Sequence, residues 1–156
     1  MDSSGNVYLA DFYNQVIRKV TAGTGVISTV AGVPVANGGA GGYTGDGGPA
    51  SSAALNRPSA VALDSAGNLY IADSNNHAIR KVTASNGVIQ TIAGNGYAFN
   101  CNGFAGDGGP AASATLCYPS GISIDIAGNL YIADTGFSRI RIVTTAAHTS
   151  DKLLEL

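Results

Sequence analysis

The stretch Asp64-Ser-Ala-Gly-Asn-Leu-Tyr-Ile-Ala-Asp73 decides the fold, because the chain contains it three times. Asp2-Ser-Ser-Gly-Asn-Val-Tyr-Leu-Ala-Asp11 precedes it by 62 residues, and Asp125-Ile-Ala-Gly-Asn-Leu-Tyr-Ile-Ala-Asp134 follows it by 61. A second motif, Gly-Asp-Gly-Gly-Pro-Ala, occurs at residues 45–50 and again at residues 106–111. A repeat of about 61 residues therefore organises the chain.

Each repeat reads as four short strands, a to d, separated by turn residues. In the complete copy, strands a to d are predicted at residues 59–64, 68–73, 77–83 and 87–93. The links between b, c and d are short and polar, as antiparallel hairpins require. The strands do not alternate cleanly between apolar and polar residues, so both faces of each sheet need cover. A β-propeller provides that cover by radial stacking, whereas a single β-sandwich does not explain the repetition.

The predicted fold is all-β, a partial β-propeller of four-stranded antiparallel blades with about two and a half blades and ten strands. The expected units are an incomplete blade (b-c-d) at 1–32, a long Gly-rich interblade loop at 33–58, a complete blade at 59–94, a long loop with a cysteine pair at 95–119, an incomplete blade (a-b-c) at 120–144 and an unpatterned tail at 145–156. Propellers close with roughly four to eight blades. The chain is therefore expected to be a piece of a longer propeller, or a unit that further copies complete.

Composition excludes several classes of protein. Charged residues make up 12% of the 156 residues and glycine contributes 22, which argues against a long helix or coiled coil. The hydrophobic fraction of 45% with a net charge of −2 argues against disorder. The eight basic residues form no stripe suited to a phosphate backbone, so nucleic acid is not an expected partner. No apolar run approaches the ~18 residues of a membrane span, and residues 1–5 lack the features of a signal peptide.

The repeated motifs resemble the NHL-repeat family of β-propellers, most closely its bacterial long-loop type. The resemblance rests on Gly-Asn-Leu-Tyr-Ile-Ala-Asp, Ile-Arg-Lys-Val-Thr, Ile-Ala-Gly and Gly-Asp-Gly-Gly-Pro-Ala, and it covers residues 2 to 144. It implies a propeller fold. For function it implies a range, from protein-binding platforms, RNA-binding regulators and kinase sensor domains to a few metal-dependent lyases or lactonases.

Two sets of charged residues stand at equivalent positions in all three repeats, and repetition favours a structural role for both. The aspartates could bind a cation in a channel, or they could accept hydrogen bonds from turn amides. The arginines could hold a ligand carboxylate, or they could pair with aspartates and carbonyl groups, which is the expectation. The sets are Asp11, Asp73 and Asp134, and Arg18, Arg80 and Arg141.

The long loops are the candidate binding surface, because they exceed what a hairpin connection needs. Each contains an aromatic residue three positions before an aspartate, namely Tyr43 with Asp46 and Phe104 with Asp107. A phosphate-binding loop is excluded because no Lys-Ser or Lys-Thr follows the glycines. A calcium loop is excluded because each loop has a single carboxylate. The interpretation that the glycines favour is a tight turn in which the aspartate bonds to local amides, and a binding role for the loop surface is the alternative.

Catalytic residues, cofactors and metal sites are not expected. The chain has only two histidines, His77 and His148, and one glutamate, Glu155. His77 replaces the Gln15 and Ser138 of the other copies, as a drifted surface residue or as part of a true site. No Ser-His-Asp set or nucleophile elbow is present.

Cys101 and Cys117 flank the second long loop, and the first loop has Ala40 and Asn56 at those positions. Two cysteines that occur together predict a disulfide and an oxidising compartment, extracellular, cell-surface or periplasmic. The alternative is two reduced thiols in a cytosolic protein. One pair alone does not make a tetrahedral zinc site.

The function that these observations favour is a non-catalytic propeller segment, a secreted rigid scaffold that binds a protein, peptide or glycan. Its other expected partners are the remaining blades of a parent chain or further copies of itself. The alternative is a fragment of a propeller enzyme, a lyase or lactonase, whose metal ligands lie in other blades.

Overall fold

The computed structural model describes residues 1–35, 40–96 and 101–144, and the backbone of residues 152–155. Three antiparallel sheets follow one another along the chain, and we call them blades 1, 2 and 3. Blade 1 contains β1 (Val7–Asp11), β2 (Val16–Val20) and β3 (Ile27–Ala31). Blade 2 contains β4 (Pro58–Leu63), β5 (Leu69–Asp73), β6 (Ala78–Val82) and β7 (Ile89–Ala93). Blade 3 contains β8 (Pro119–Ile124), β9 (Leu130–Asp134), β10 (Arg139–Thr144) and β11 (Lys152–Glu155).

The ten strands of the sequence prediction are all present, and within each blade consecutive strands pair in order. The all-β partial propeller is therefore confirmed. In blade 2, Leu63 pairs with Leu69 across the a–b turn, and Leu69 in turn pairs with Val82. Register is well defined because a slip by one residue would exchange the two faces of the sheet.

β11 is a strand that the sequence pattern did not predict. Its backbone pairs antiparallel with β10, with Lys152 opposite Thr144 and Glu155 opposite Arg141. The expectation of a three-stranded third blade followed by an unpatterned tail is corrected here, because blade 3 has four strands. The pairing uses backbone N–H and C=O groups, which every residue but proline offers, so it does not require the Gly-x-Ile-x-Thr-Ile motif.

Apolar side chains from facing blades form two separate cores. Between blades 1 and 2 lies a core that includes Ile17, Leu69 and Ile71, all at most 5% exposed. Between blades 2 and 3 lies the equivalent core, which includes Ile79 and Ile132, both fully buried. Blade 2 is thus covered on both faces, which explains why its strands lack polar alternation.

The first long loop packs between blades 1 and 2 and covers the outer edge of β7. Ala50, Ala53 and Leu55 of this loop are buried in the core between those blades. Gly47 donates its backbone N–H to the carbonyl oxygen of Ile89 at 2.8 Å, and Ile89 donates to Gly48 at 3.0 Å. The loop therefore protects a strand edge that would otherwise expose unpaired backbone groups.

The turns between strands b and c meet the ends of the long loops at one edge of the blades, which we call the loop edge; there Asn75 donates its backbone N–H to Asn56 and Gly136 donates to Cys117. Each b–c turn is one turn of 3-10 helix that ends on a residue with positive φ, namely Gln15, His77 and Ser138. Within the described ranges, no helix has the length and apolar character needed to cross a bilayer.

Candidate functional site

A buried arginine anchors the first long loop to blade 2. Arg80 lies on β6 with a fully buried side chain. Its Nη1 donates to Oδ2 of Asp73 at 3.2 Å, and its Nη2 donates to Oδ1 of Asp46 at 2.7 Å. Its Nη2 also donates to the carbonyl oxygen of Thr44 at 3.0 Å. The guanidinium thus joins the end of β5 to the Gly-Asp-Gly-Gly turn of the loop, two segments far apart in sequence.

The second long loop is anchored to blade 3 by the same arrangement. Arg141 is also fully buried and bonds Asp134 at 3.1 Å and Asp107 at 2.7 Å. Its remaining bonds reach the carbonyl oxygens of Thr115 and Ala105. The repetition of the cluster shows that the loop geometry is built into the repeat.

An aromatic ring covers each buried arginine from the loop side. The guanidinium carbon of Arg80 lies 5.0 Å from the ring centroid of Tyr43, and that of Arg141 lies 4.6 Å from the centroid of Phe104. Arg139 also lies over the Phe104 ring, at 4.2 Å. Such contacts stabilise a cation by about 0.5–2 kcal/mol, more where water is excluded.

The four predicted binding residues of the long loops therefore all contact a buried arginine. Their outer surfaces remain accessible to different extents. Tyr43 is 39% exposed, and the side chains of Asp46 and Asp107 are 47% and 28% exposed. The sequence placed these residues on the loop surface and predicted that Asp46 and Asp107 would bond local amides. In the structure their carboxylates bond Arg80 and Arg141.

Blade 1 contains a less buried version of the repeated positions. Nη1 of Arg18 donates to Oγ1 of Thr29 at 2.9 Å. Asp11 is half-buried, and its Oδ1 accepts a bond from Asn14 Nδ2 at 2.9 Å. The repeated residues thus have unequal surroundings, which makes blade 1 a natural comparison for blade 2.

The buried aspartates accept hydrogen bonds from the loop that precedes their own blade. Asn56, at the end of the first long loop, donates its backbone N–H to Asp73 Oδ1 at 2.7 Å, and Cys117 does the same for Asp134 at 2.6 Å. Burial raises the pKa of Asp73 to about 6, against the opposing effect of its hydrogen bonds and of Arg80. Burial also raises the pKa of Asp134.

A further aspartate, which opens each a–b turn, organises the opposite edge. Oδ1 of Asp64 accepts the backbone N–H groups of Ala66 at 3.0 Å and Asn68 at 2.8 Å. Its Oδ2 accepts from Asn68 Nδ2 at 2.7 Å and from the Tyr70 hydroxyl at 3.2 Å. Burial alone would raise the pKa of Asp64, but these bonds outweigh burial and lower it. The Asp-x-x-Gly-Asn-x-Tyr spacing carries this network in every repeat.

His77 and the cysteines meet at the junction of blades 2 and 3. Cys101 and Cys117 form a disulfide with a Cα–Cα distance of 5.4 Å. Nδ1 of His77 accepts the backbone N–H of Tyr118 at 3.1 Å, and Gln15 Oε1 bonds Arg57 N in the same way between blades 1 and 2. Burial lowers the pKa of His77, which favours its neutral form. The sequence interpretation of His77 as a drifted surface residue is corrected, since His77 is 9% exposed and joins two blades.

Exposed tyrosines mark the loop edge. Tyr13, in the first b–c turn, is 70% exposed, and Tyr118, which precedes β8, is 47% exposed. Tyr118 packs edge-on against the His77 ring with centroids 4.5 Å apart. Tyrosine combines a large apolar area with a polar tip and few rotatable bonds, which suits it to binding surfaces.

The segment that contains β4, β5 and β6 matches a known repeat. Residues 55–82 match the family model described as NHL repeat. The complete blade carries an NHL repeat. Because the neighbouring sheets repeat its motifs and stack on it as blades, the molecule has the organisation of an NHL-repeat propeller.

Known proteins with similar sequence or structure are larger. Teneurin-1 of Mus musculus is 34% identical over 101 residues, which is 59% of this chain and 4% of that protein. A crystal structure of an auxiliary nutrient binding protein from Bacteroides thetaiotaomicron superposes with a TM-score of 0.61 at 24% identity, covering 88% of this chain and 34% of that one. Streptogramin B lyase superposes with a TM-score of 0.59 at 16% identity, covering 99% of this chain and 37% of that one.

These likenesses show the propeller fold. The chain spans 4% of teneurin-1 and about a third of the two solved chains. The similar proteins come from an animal and from a bacterium, so the bacterial origin suggested by the long loops stays a prediction.

Proposed function

We propose that the chain is a non-catalytic propeller segment that acts as a rigid scaffold and binds a protein, peptide or glycan outside the cytoplasm. The observation that supports this most strongly is the pair of equivalent aromatic–aspartate surfaces on the long loops. Tyr43 with Asp46, and Phe104 with Asp107, present a ring and a carboxylate above a buried arginine.

These surfaces combine exposure with rigidity. Asp46 uses Oδ1 for Arg80, yet 47% of its side chain stays accessible to a ligand. The buried arginine holds the loop in one conformation, so a ligand would not have to order it, and ordering costs about 0.5–1.5 kcal/mol per immobilised side chain. Two equivalent surfaces on neighbouring blades suit a ligand that is itself repetitive, such as a glycan or an extended peptide.

The cysteine pair supports the proposed compartment. A disulfide between Cys101 and Cys117 persists in oxidising surroundings. The likeness to a nutrient binding protein is one of fold, and it supports a binding role only in so far as this fold presents loops for binding. The alternative is an enzyme fragment. The likeness to streptogramin B lyase would support it, but this likeness is also one of fold.

The experiment begins with glycan and peptide arrays probed with the purified chain, followed by titration of the strongest ligand. Replacing Tyr43 and Phe104 together by alanine is expected to weaken binding at least tenfold, about 1.4 kcal/mol. Ile126→Ala, on the fully exposed a–b turn of the opposite edge, is the control and should leave binding unchanged. The proposal fails if the arrays yield no ligand, or if a folded double variant binds as tightly as the wild type.

The enzyme alternative is tested separately by metal analysis and by lactone-opening and lyase assays on the protein. Turnover that requires a metal ion and tracks purified protein would replace the scaffold proposal. Because these assays do not depend on the loop variants, the two experiments distinguish binding from catalysis.

A further inference from the structure

Three residues depart from the repeat at the junction of blades 2 and 3, and the three departures meet in space. Residues that repeat from blade to blade serve the common fold or a repeated surface, whereas residues that depart from the repeat mark a feature of one junction. The departures are His77 in place of Gln15, Cys101 in place of Ala40 and Cys117 in place of Asn56.

The side chains converge from different elements. One ligand atom from each of His77, Cys101 and Cys117 lies within 4.8 Å of the other two. His77 ends the b–c turn of blade 2, and the cysteines lie at either end of the second long loop. Cys117 is fully buried and His77 is 9% exposed, so the cluster is largely shielded from water.

These three groups form a suitable ligand set for zinc. Zinc binds thiolate sulfur at about 2.3 Å and imidazole nitrogen at about 2.0 Å in tetrahedral geometry, which places neighbouring ligand atoms roughly 3.5–3.8 Å apart. Once the disulfide is broken, the two sulfur atoms would separate from the bonding distance of about 2.05 Å to about 3.7 Å. The ligand atom of His77 already lies within 4.8 Å of both sulfur atoms. A water molecule would complete the four ligands, as in other three-residue zinc sites.

The hydrogen bond of His77 shows that its Nδ1 faces the backbone beside Cys117. Nδ1 directs its lone pair at the backbone N–H of Tyr118, the residue that follows Cys117. Gln15 makes the equivalent bond in the first junction, so an amide is sufficient for joining the blades. An imidazole at this position adds a stronger metal ligand to the same place, and a metal ion would take the lone pair that Tyr118 N–H now uses.

We propose that Cys101, Cys117 and His77 form a redox-gated binding site for a thiophilic divalent cation, represented by Zn²⁺. A dithiol reductant supplies two electrons and two protons, the Sγ–Sγ bond breaks to give two thiols, and the reductant becomes a disulfide. Zn²⁺ then displaces one proton from each thiol into solvent and binds the two thiolates and Nδ1. The oxidised chain holds the same sulfur atoms in the disulfide and has no site.

The first experiment uses Co²⁺ as a spectroscopic probe and Zn²⁺ as its competitor. The chain is reduced with a phosphine, which is converted with water to its oxide, and is then desalted without oxygen. The reduced wild type should bind one Co²⁺ with thiolate-to-cobalt charge-transfer bands that Zn²⁺ abolishes. The oxidised wild type should show none of these bands.

The first repeat provides the matched variants. His77→Gln installs the residue of the first junction, keeps the bond to Tyr118 N–H, and should weaken binding by about tenfold or more. Cys101→Ala installs the residue of the first loop and should abolish the charge-transfer bands. Equal affinity of reduced wild type and His77→Gln, or no uptake by the reduced wild type, would overturn the proposal.

Reduction could also unfold the junction, so thermal melting gives a second readout. Zn²⁺ should raise the melting temperature of the reduced wild type, because it binds the folded state. It should not raise that of reduced Cys101→Ala. If Zn²⁺ neither stabilises nor refolds the reduced wild type, the site does not exist. None of these measurements depends on the glycan or peptide ligand of the proposed function.

Discussion

Replacing Asp73 by alanine tests whether the buried ion pair holds blade 2 to its loop. The change removes the acceptor of three hydrogen bonds, from Asn56 N, Asn76 Nδ2 and Arg80 Nη1. Breaking a buried charge pair costs about 3–5 kcal/mol. Arg80 retains its bond to Asp46, which places the expected loss near the middle of that range, about 4 kcal/mol.

The repeat offers a matched control in Asp11→Ala. Asp11 is the equivalent residue of blade 1, and its Oδ1 accepts a bond from Asn14 at an exposed position. A single exposed hydrogen bond contributes about 0.5–1 kcal/mol. The two substitutions delete the same atoms, so the difference between their effects, about 3 kcal/mol, measures the surroundings and not the residue type.

Guanidinium unfolding followed by far-UV circular dichroism provides the assay, since the chain has no tryptophan. With a slope of roughly 4 kcal/mol per molar denaturant, Asp73→Ala should lower the midpoint by about 1 M and Asp11→Ala by about 0.2 M. Equal midpoints for the two variants would refute the argument that burial of this pair determines its energetic weight. A loss of under about 1 kcal/mol for Asp73→Ala would refute it as well.

Three further predictions concern other parts of the chain. The folded-state pKa of Asp64 is lowered, so its hydrogen bonds stabilise the fold fully above the unfolded pKa of about 3.8. This stabilisation is lost as the pH falls from there through the folded-state pKa. Thermal melting between pH 5 and 2 should therefore show a smaller acid-induced loss of stability in Asp64→Asn than in the wild type. Gly94→Ala should lower the free energy of unfolding by more than about 2 kcal/mol in chemical denaturation, because a Cβ there would lie 2.2 Å from the backbone oxygen of His77. Gly87→Ala, where a Cβ would have nothing within 4 Å, should lower it by about 1 kcal/mol. Reducing the Cys101–Cys117 disulfide, whose cysteines are 16 residues apart, should lower the free energy of unfolding by about 3 kcal/mol. Calorimetry should show the melting temperature fall by about 6–12 °C. The Cys101→Ala variant should show no such response to reductant.

Much of the fold could be predicted because its determinants are local. The turn that begins at Asp64 uses donors within six residues, so its Asp-x-x-Gly-Asn-x-Tyr spacing is visible in the sequence. The b–c and c–d links are equally short. The sequence did not predict β11, because backbone pairing with β10 requires no side-chain pattern.

The candidate site was predictable only in its residues. The sequence indicated Tyr43 and Asp46 as a loop surface and Arg80 as the partner of an aspartate. It did not indicate that Arg80 would bond both Asp73 and Asp46, because the second lies 34 residues earlier, across a loop whose path the repeat does not specify.

The sequence by itself determined the repeat, its strands and the stacking of blades. Turn residues and strands that are apolar on both faces recur at intervals of about 61 residues, and these are local features. Only the tertiary structure decided which repeated charges are buried and which partners they bond, since burial depends on the neighbouring blade and loop. Asp11 and Asp73 occupy the same place in the repeat, yet Asp73 is buried with an arginine and Asp11 is half-exposed. His77, Cys101 and Cys117 likewise stand apart in the chain, and folding of the second loop onto blade 2 brings them together.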